Sequence, residues 1–318
     1  MTKMDLSIVI SVYNEEESLR ELIPWIKDAL SGESMGYEII LVDDGSTDSS
    51  WSIIEELSKE YPIKAICFRR NYGKSAALYC GFELAQGDIV VTMDADLQDS
   101  PEEIPGLVAM IKDKNLDLVS GWKKKRYDGF FSKNLPSRIY NSAARRVTKI
   151  KLHDMNCGLK AYRRDVIKNI EVYGEMHRYI PYLSKNAGFS KIGERVVKHQ
   201  PRKFGKSKFG RSRFINGFLD LLTLWFLSRF SKKPMHFFGL VGSLTFFIGS
   251  MTSLYLIINK IVTQSKGLPF RAVTDQPLFY ISLVALIIGM QLFLSGFLAE
   301  LISRNGSERN NYKIKKMI

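Results

Sequence analysis

Two runs near the carboxyl end constrain this 318-residue chain more than any other feature. Met235–Ile258 passes 24 residues without Asp, Glu, Lys or Arg. Pro277–Ala299 repeats the pattern, with Gln291 its most polar member and Glu300 at its end. About 20 apolar residues suffice for a helix to cross a bilayer, and backbone in lipid must satisfy its own hydrogen bonds. Both runs are therefore expected as spanning helices. The connecting Asn259–Gln276 is modestly charged, whereas the flanks, Lys198–Arg213 and Arg304 through Lys316, are heavily basic. Basic flanks stay on the cytoplasmic side, which predicts a hairpin with both ends in the cytoplasm.

The net charge of +13 calls for a polyanionic partner. Much of the excess lies in those flanks, so an anionic leaflet accounts for most of it and no nucleic acid is needed. Cys67, Cys80 and Cys157 are scattered without CxxC spacing. That pattern argues against a disulfide framework or a zinc site and suits a reducing compartment. The N-terminal MTKMDLSIVISVYNEE acquires acids too soon for a signal peptide. It reads as the first strand of a cytoplasmic domain.

Through about residue 121, strand and helix patterns alternate. Strands are expected at Leu6–Val12, Tyr37–Val42, Ile63–Phe68, Asp88–Met93 and Leu116–Ser120. Helices are expected at Glu16–Leu30, Ser49–Glu60, Lys74–Ala85 and Pro101–Asp113. Ser46, Thr47 and Asp48 are natural caps for the second helix. This alternation predicts an α/β fold on a parallel sheet with right-handed crossovers. Beyond Gly121 it weakens: a basic loop (Lys123–Arg126), a basic helix candidate (Ser137–Ile150), and His153–Val166 as loop, strand and turn. Phe214–Phe230, aromatic and preceded by a basic stretch, suits a membrane interface.

Open α/β sheets bind ligands at the carboxyl ends of their strands, and polar clusters fall there four times. The first strand ends in Tyr13-Asn14-Glu15 and the second in Asp43-Asp44-Gly45-Ser46. The third runs into Arg70-Asn71-Tyr72-Gly73-Lys74, and the fourth ends in Asp94-Ala95-Asp96-Leu97-Gln98. Two carboxylates one residue apart suit a hard divalent cation on a diphosphate. Taken alone, Asp-x-Asp reads equally well as a solvated turn before Pro101. Asp44 suits a base N–H and Glu15 a ribose or base edge. Neither G-x-G-x-x-G nor a P-loop is present.

The ordered segments SVYNEEESL (Ser11–Leu19), LVDDGSTDSS (Leu41–Ser50), RNYGKSAALYCGFELAQGD (Arg70–Asp88), MDADLQDSPEEIP (Met93–Pro105), DMNCGLKAYRRDV (Asp154–Val166) and PRKFGKSKF (Pro201–Phe209) resemble the family 2 glycosyltransferases of GT-A fold. Within that family they are similar to the polyprenyl-phosphate glycosyltransferases, which include the dolichyl-phosphate mannose synthases and the bactoprenol glucosyltransferases. GFLAELISR (Gly296–Arg304) also resembles the latter.

The resemblance implies a GT-A domain over 1–213, a juxtamembrane amphipathic helix over 214–233, a transmembrane hairpin over 234–303 (spans about 235–258 and 277–302) and a basic tail over 304–318. It places Tyr13, Glu15, Val42 and Asp44 around base and ribose. Asp94, Asp96 and Gln98 fall on a Mg2+ or Mn2+ and the diphosphate, with Ala95 between them. Lys123, where some relatives carry Arg, is expected on the donor, and Arg202 and Lys208 belong to a loop closing over donor and acceptor phosphates. Asp154 matches an acid that positions substrate or serves as a base. Asp96, Asp154, Arg202 and Lys208 form the catalytic set. Ser11 replaces a usual Pro.

The reaction implied is inverting transfer from a nucleotide sugar, UDP-glucose or UDP-N-acetylglucosamine, to undecaprenyl phosphate at the inner membrane. The alternatives are a GDP-mannose-using synthase and a noncatalytic membrane-anchored nucleotide-binding protein. A processive polysaccharide synthase would carry Gln-x-x-Arg-Trp, which none of Trp25, Trp51, Trp122 and Trp225 completes. A homo-oligomer is left open, and no nucleic acid is implied.

Overall fold

The computed structural model describes residues 4–124, 142, 144–146, 148–204, 222–223, 225–226, 229–230, 234–269, 271–305 and 314–317. The chain divides into two units, Met1–Leu224 with Arg309–Ile318, and Trp225–Glu308.

The first unit is built on one sheet. Its elements in order are β1 (Leu6–Val12), α1 (Glu16–Leu30), β2 (Tyr37–Asp43), α2 (Ser50–Leu57), β3 (Ile63–Phe68), α3 (Lys74–Leu84) and β4 (Ile89–Asp94). A 3-10 turn at Pro101–Glu103 leads into α4 (Ile104–Asp113). Then come β5 (Leu118–Trp122), β6 (Lys160–Arg163), α5 (Arg164–Lys168), a 3-10 turn at Met176–Tyr179, α6 (Ile180–Asn186) and β7 (Ile192–Val196). The strand order is β7-β5-β6-β4-β1-β2-β3-β8, where β8 is Ile314–Met317, with β6 and β8 antiparallel to their neighbours.

Strands β1, β2 and β4 are rich in Ile, Leu and Val and almost wholly buried because both faces of the sheet are covered. Helix α1 supplies Leu19, Leu22, Ile23 and Ile26 to one face, all inaccessible to solvent. Helix α3 lies on β1 and β2 through small residues. A Cβ at Gly81 would come within 2.3 Å of Val9 Cγ1, so only glycine permits this approach. The register is level: Ser11 of β1 stands opposite Val42 of β2 on one side and Asp94 of β4 on the other. Three strands therefore release their polar ends on one rim.

Five details depart from the sequence reading. Pro101 opens a 3-10 turn rather than the helix itself, and β5 begins two residues later than expected. The segment after β6 is a short helix, not a turn. β6 inserts antiparallel between β4 and β5, where its hydrogen bonds to both strands override the parallel pattern. The basic tail contributes β8 (Ile314–Met317), which pairs antiparallel with β3 at the sheet edge. Tyr179 and Tyr182 are buried core aromatics and Phe189 is half-buried. Half of the helix expected over Ser137–Ile150 and most of that over Phe214–Phe230 lie outside the described residues.

The second unit is a helical hairpin of α7 (Pro234–Ser265) and α8 (Pro277–Asn305). Both are long and apolar enough to cross a membrane. α7 continues past the uncharged run through Asn259 and Lys260. Its 32 residues span about 48 Å at 1.5 Å per residue, more than the ~30 Å hydrocarbon layer. The helices meet backbone to backbone: a Cβ at Gly289 would lie 2.6 Å from Phe246 N, and one at Gly242 2.7 Å from Gly289 O. Ser253 Oγ donates to Ser282 Oγ at 2.9 Å. Leu240, Phe247, Ile248 and Met251 are among many large apolar side chains left exposed.

Candidate active site

The loops after β1 and β2 bind each other. Asn14, held at φ 52°, accepts the Thr47 N–H on Oδ1 at 2.8 Å, and its own N–H donates to Ser46 Oγ at 2.9 Å. Glu15 N–H donates to Ser50 Oγ, and Glu16 Oε2 accepts from Ser49 N–H, both at 2.9 Å. Asp48 accepts from Ser50 N–H on Oδ1 and from Glu16 N–H on Oδ2. Of the three expected caps, Asp48 thus serves two helices, while Ser46 serves the neighbouring loop. The helix amino ends lie side by side, so a neighbouring loop satisfies donors that a local cap would otherwise take.

Asp43 and Asp44 have separate tasks. Buried Asp43 accepts from Ser46 N–H at 3.0 Å, closing the turn. Gly45 follows at φ +73°, and a Cβ there would sit 2.4 Å from Arg70 C. Asp44, 4% exposed, accepts from the N–H groups of Tyr72 (2.7 Å) and Gly73 (2.9 Å). Its carboxylate suspends the Arg70–Gly73 loop. Burial, with help from the Asp43 charge, pushes the Asp44 carboxyl up to about 6, against those two N–H donors.

Asp94 and Asp96 are both matched by cations. The Lys74 ammonium lies on Asp94 Oδ1, and Arg202 donates to Asp96 Oδ2 at 2.5 Å. Burial alone would raise Asp94, but Lys74, Lys123 and Lys160 overcome it and hold the carboxyl well below the usual range. Asp96 goes the other way: burial and the Asp94 charge push it up to about 6, with Arg202 only partly offsetting them. One carboxylate is firmly ionised while its neighbour resists ionisation.

Lys123 does not reach toward Asp94 as a free cation. Its ammonium pairs with Asp99 Oδ1 at 2.6 Å, and Asp99 is fully buried. Burial works against the charge on Lys123, yet Asp99 and its neighbours more than compensate and raise it. The basic stretch after β7 runs along this segment: the backbone of His199 forms an antiparallel bridge with that of Asp99, Gln200 N–H donates to the Gln98 carbonyl at 2.9 Å, and Lys203 reaches Glu21 at 2.6 Å. This lays Arg202 over Asp96.

Asp154 is 2% exposed, and its Oδ1 accepts from Asn156 N–H at 3.2 Å. Glu194 of β7 holds its loop, accepting from His153 N–H at 2.7 Å and Asp154 N–H at 3.1 Å. Glu194 Oε2 also pairs with His153 Nδ1 at 2.6 Å, and the imidazole stacks on Trp122 at 4.1 Å.

The expected residues are therefore sorted. Tyr13 and Glu15 are half-buried at the rim beside Asp44, and Asp94, Asp96 and Arg202 come together. Val42 is fully buried in the core, so it can offer a ligand only backbone; Ala95 is buried as well. Lys208 lies outside the described residues. The sequence reading assigned no task to Lys74, Lys160, His177 or Glu194, and only Lys74 stood in a rim motif. Lys160 is buried, with its ammonium on the Cys157 carbonyl. His177 Nδ1 meets Ser75 Oγ at 3.0 Å, and burial with nearby Lys74 keeps the imidazole neutral.

The donor set fits a hard divalent cation. Two adjacent carboxylates, one of them held ionised, supply oxygen ligands. Among the described residues no group of three or more His, Cys, Asp or Glu could hold a metal, so a diphosphate and water would complete the shell. That is how Mg2+ is commonly held beside phosphates.

Residues 7–171 match the family described as glycosyl transferase family 2. The chain is 36% identical over 304 residues to a dodecaprenyl-phosphate galacturonate synthase of Rhizobium johnstonii, covering 95% of this chain and 88% of that protein. It is 37% identical over 304 residues to an undecaprenyl-phosphate 4-deoxy-4-formamido-L-arabinose transferase of Shewanella sediminis, covering 94% and 87%. Among solved structures it is similar to Mycobacterium tuberculosis glucosyl-3-phosphoglycerate synthase with UDP: TM-score 0.53, 21% identity, 70% of this chain and 80% of that one. The same enzyme with Mn2+, UDP-glucose and phosphoglyceric acid gives TM-score 0.51, 21% identity, and coverage of 71% and 79%. At that identity the likeness concerns the fold.

Proposed function

The chain belongs to glycosyl transferase family 2, and from that premise we propose that it moves one sugar from a nucleotide sugar to a polyprenyl phosphate. The observation that carries this reading is the convergence of Asp44, Asp94, Asp96 and Arg202, from three separate segments, on one rim of a GT-A sheet. Nucleotide base and ribose would lie toward Tyr13, Glu15 and Asp44, and the diphosphate toward Asp94, Asp96, Gln98 and Arg202. Asp94 and Asp96 would hold a Mg2+ or Mn2+, which supplies positive charge to the departing diphosphate.

An acceptor phosphate monoester has its second pKa near 6, so at neutral pH it is largely a dianion that needs little help from a base. Crowding it against the donor is repulsive, and Arg202 with Lys208 would offset that charge. Buried Asp154, its loop clamped by Glu194, acts as a positioning group. Attack in a single displacement inverts the anomeric centre.

A UDP sugar is the proposed donor. The relatives' names carry galacturonate and 4-deoxy-4-formamido-L-arabinose, which shifts the reading away from glucose and N-acetylglucosamine. A lipid acceptor is supported by the two apolar helices. The chain passes through both before β8 rejoins the sheet, which supports a plasma-membrane hairpin with both termini in the cytoplasm.

The test is direct. Purified protein and polyprenyl phosphate are incubated with labelled UDP-glucose, UDP-N-acetylglucosamine, UDP-galacturonate, UDP-4-deoxy-4-formamido-L-arabinose and GDP-mannose. Label entering the organic phase from a UDP sugar is expected. Label from GDP-mannose alone would move the enzyme to the mannose-synthase reading, and label from none would end the proposal.

A further inference from the structure

Lys74 has no part in the function just described, yet it makes the closest ionic contact to the first aspartate of the site. It opens α3, and the loop before it hangs on Asp44 through the N–H groups of Tyr72 and Gly73. Its ammonium rests on Asp94 Oδ1, with both side chains 32% exposed. Asp96 is covered in the same way by Arg202. The two carboxylates that suit a divalent ion are thus both occupied by side-chain cations.

A divalent ion and an ammonium cannot share Asp94 on equal terms, because each weakens the other's attraction and the two cations repel. The ammonium released has few places to go. Lys160 stands nearby with like charge and is itself held on the Cys157 carbonyl. The adjacent His177 is tied to Ser75 as a neutral ring and offers no anion. The stem of Lys74 is fixed at the start of α3, so the ammonium stays within reach of whatever anion binds beside Asp94.

We propose that Lys74 is a diphosphate-binding residue held in reserve on Asp94: the arriving divalent ion displaces its ammonium, which then pairs with the diphosphate of the donor. This rests on the nucleotide-sugar reading above. Lys74 would join the two ends of the donor site, since the same short segment touches Asp44 at one end and Asp94 at the other. It opposes the metal when no nucleotide is present and favours the nucleotide once the metal is seated. Metal and nucleotide then bind synergistically, with Lys74 as the coupling element.

The opposite signs make the proposal testable without turnover. Full-length protein in detergent micelles is titrated with Mn2+, read by the loss of the free-ion electron paramagnetic resonance signal, and then with UDP at saturating Mn2+. Lys74→Met should bind Mn2+ roughly fivefold tighter than wild type without nucleotide, the scale of a partly exposed ion pair. It should bind UDP about tenfold weaker, the scale of a lost charge-assisted contact. Uridine, which has no diphosphate, should bind both proteins alike, and Lys74→Arg should keep the wild-type order.

Lys74→Gln, with the same expectations, serves if the Met variant does not fold. Weakening of both ligands would make Lys74 a structural residue and overturn the proposal. Tighter Mn2+ with unchanged UDP would also overturn it, since the ammonium would then have no second partner. Wild-type protein that holds neither UDP nor GDP with Mn2+ would instead sink the nucleotide-sugar reading itself.

Discussion

Asp44 and Asp96 are carboxylates whose ionisation the fold resists, and both stand on the ligand-facing rim. Each is pushed up to about 6, whereas an unfolded Asp titrates near 4. Between about pH 4 and 6 the folded chain therefore binds more protons than the unfolded one, and stability falls as pH rises through that window. Asp94 is shifted the opposite way, so its contribution is lost only below about pH 4. At neutral pH, Asp44 and Asp96 each cost on the order of 2 kcal/mol, a cost that the proposed donor site would explain. Asp96→Asn should raise the Tm by roughly 3 °C near pH 7.5 and by about half as much near pH 5, while sugar transfer drops by roughly 100-fold or more. Thermal melts at the two pH values check this; a gain independent of pH would show that the Asp96 charge is not its source. The identity of these acids was legible in Asp-x-Asp. Their unequal ionisation was not, because it depends on Lys74, Lys123, Lys160 and Arg202, which lie 20 to 106 positions away in the chain or in other loops.

At the scale of elements, the rim is made of segments that secure one another. The loops after β1 and β2 exchange backbone donors and side-chain acceptors, and Asp44 holds the loop before α3. Edge strand β7 has the corresponding task for Asp154: Glu194 takes two backbone N–H groups of the 153–154 loop on a carboxylate only 12% exposed. A misplacement of about 1 Å can lower turnover as much as 100-fold, so losing that clamp should reach the chemistry without touching the nucleotide. Glu194→Ala is expected to lower kcat roughly tenfold with Mn2+ and UDP affinities unchanged, and Glu194→Gln to recover part of it. Steady-state kinetics beside equilibrium binding separate the two effects; a parallel loss of UDP affinity would mean that β7 supports the whole site. Strand β7 was not anticipated. Its Ile192–Val196 stretch alternates weakly and leaves Val196 half exposed, as edge strands can.

The chain runs from the sheet unit into the apolar hairpin and then back, its tail supplying β8 to the sheet. Since β8 follows both long helices in the chain and pairs into the same sheet as β1, the proposed membrane hairpin would need an even number of crossings. Protease added to sealed right-side-out vesicles should leave both an N-terminal and a C-terminal epitope intact, and should cut both in inverted vesicles. Cleavage of only one terminus from either side would exclude the paired hairpin. The basic flanks would favour the proposed orientation, as loops rich in Lys and Arg tend to remain cytoplasmic.

Composition and periodicity determined the α/β class, the two apolar helices, and the acids that leave strands β1, β2 and β4. These are local properties: an Ile/Val run, a stretch without charge and a polar strand end each mean the same thing wherever the chain goes. Tertiary structure alone decided the antiparallel insertion of β6, the return of β8 to the sheet, and the task of each charged group on the rim. Lys123 looked like a donor ligand and is the partner of buried Asp99; Lys74 looked like a helix start and rests on Asp94. Ion pairs and strand edges are formed between segments far apart in sequence, so their partners exist only once the sheet has brought them together.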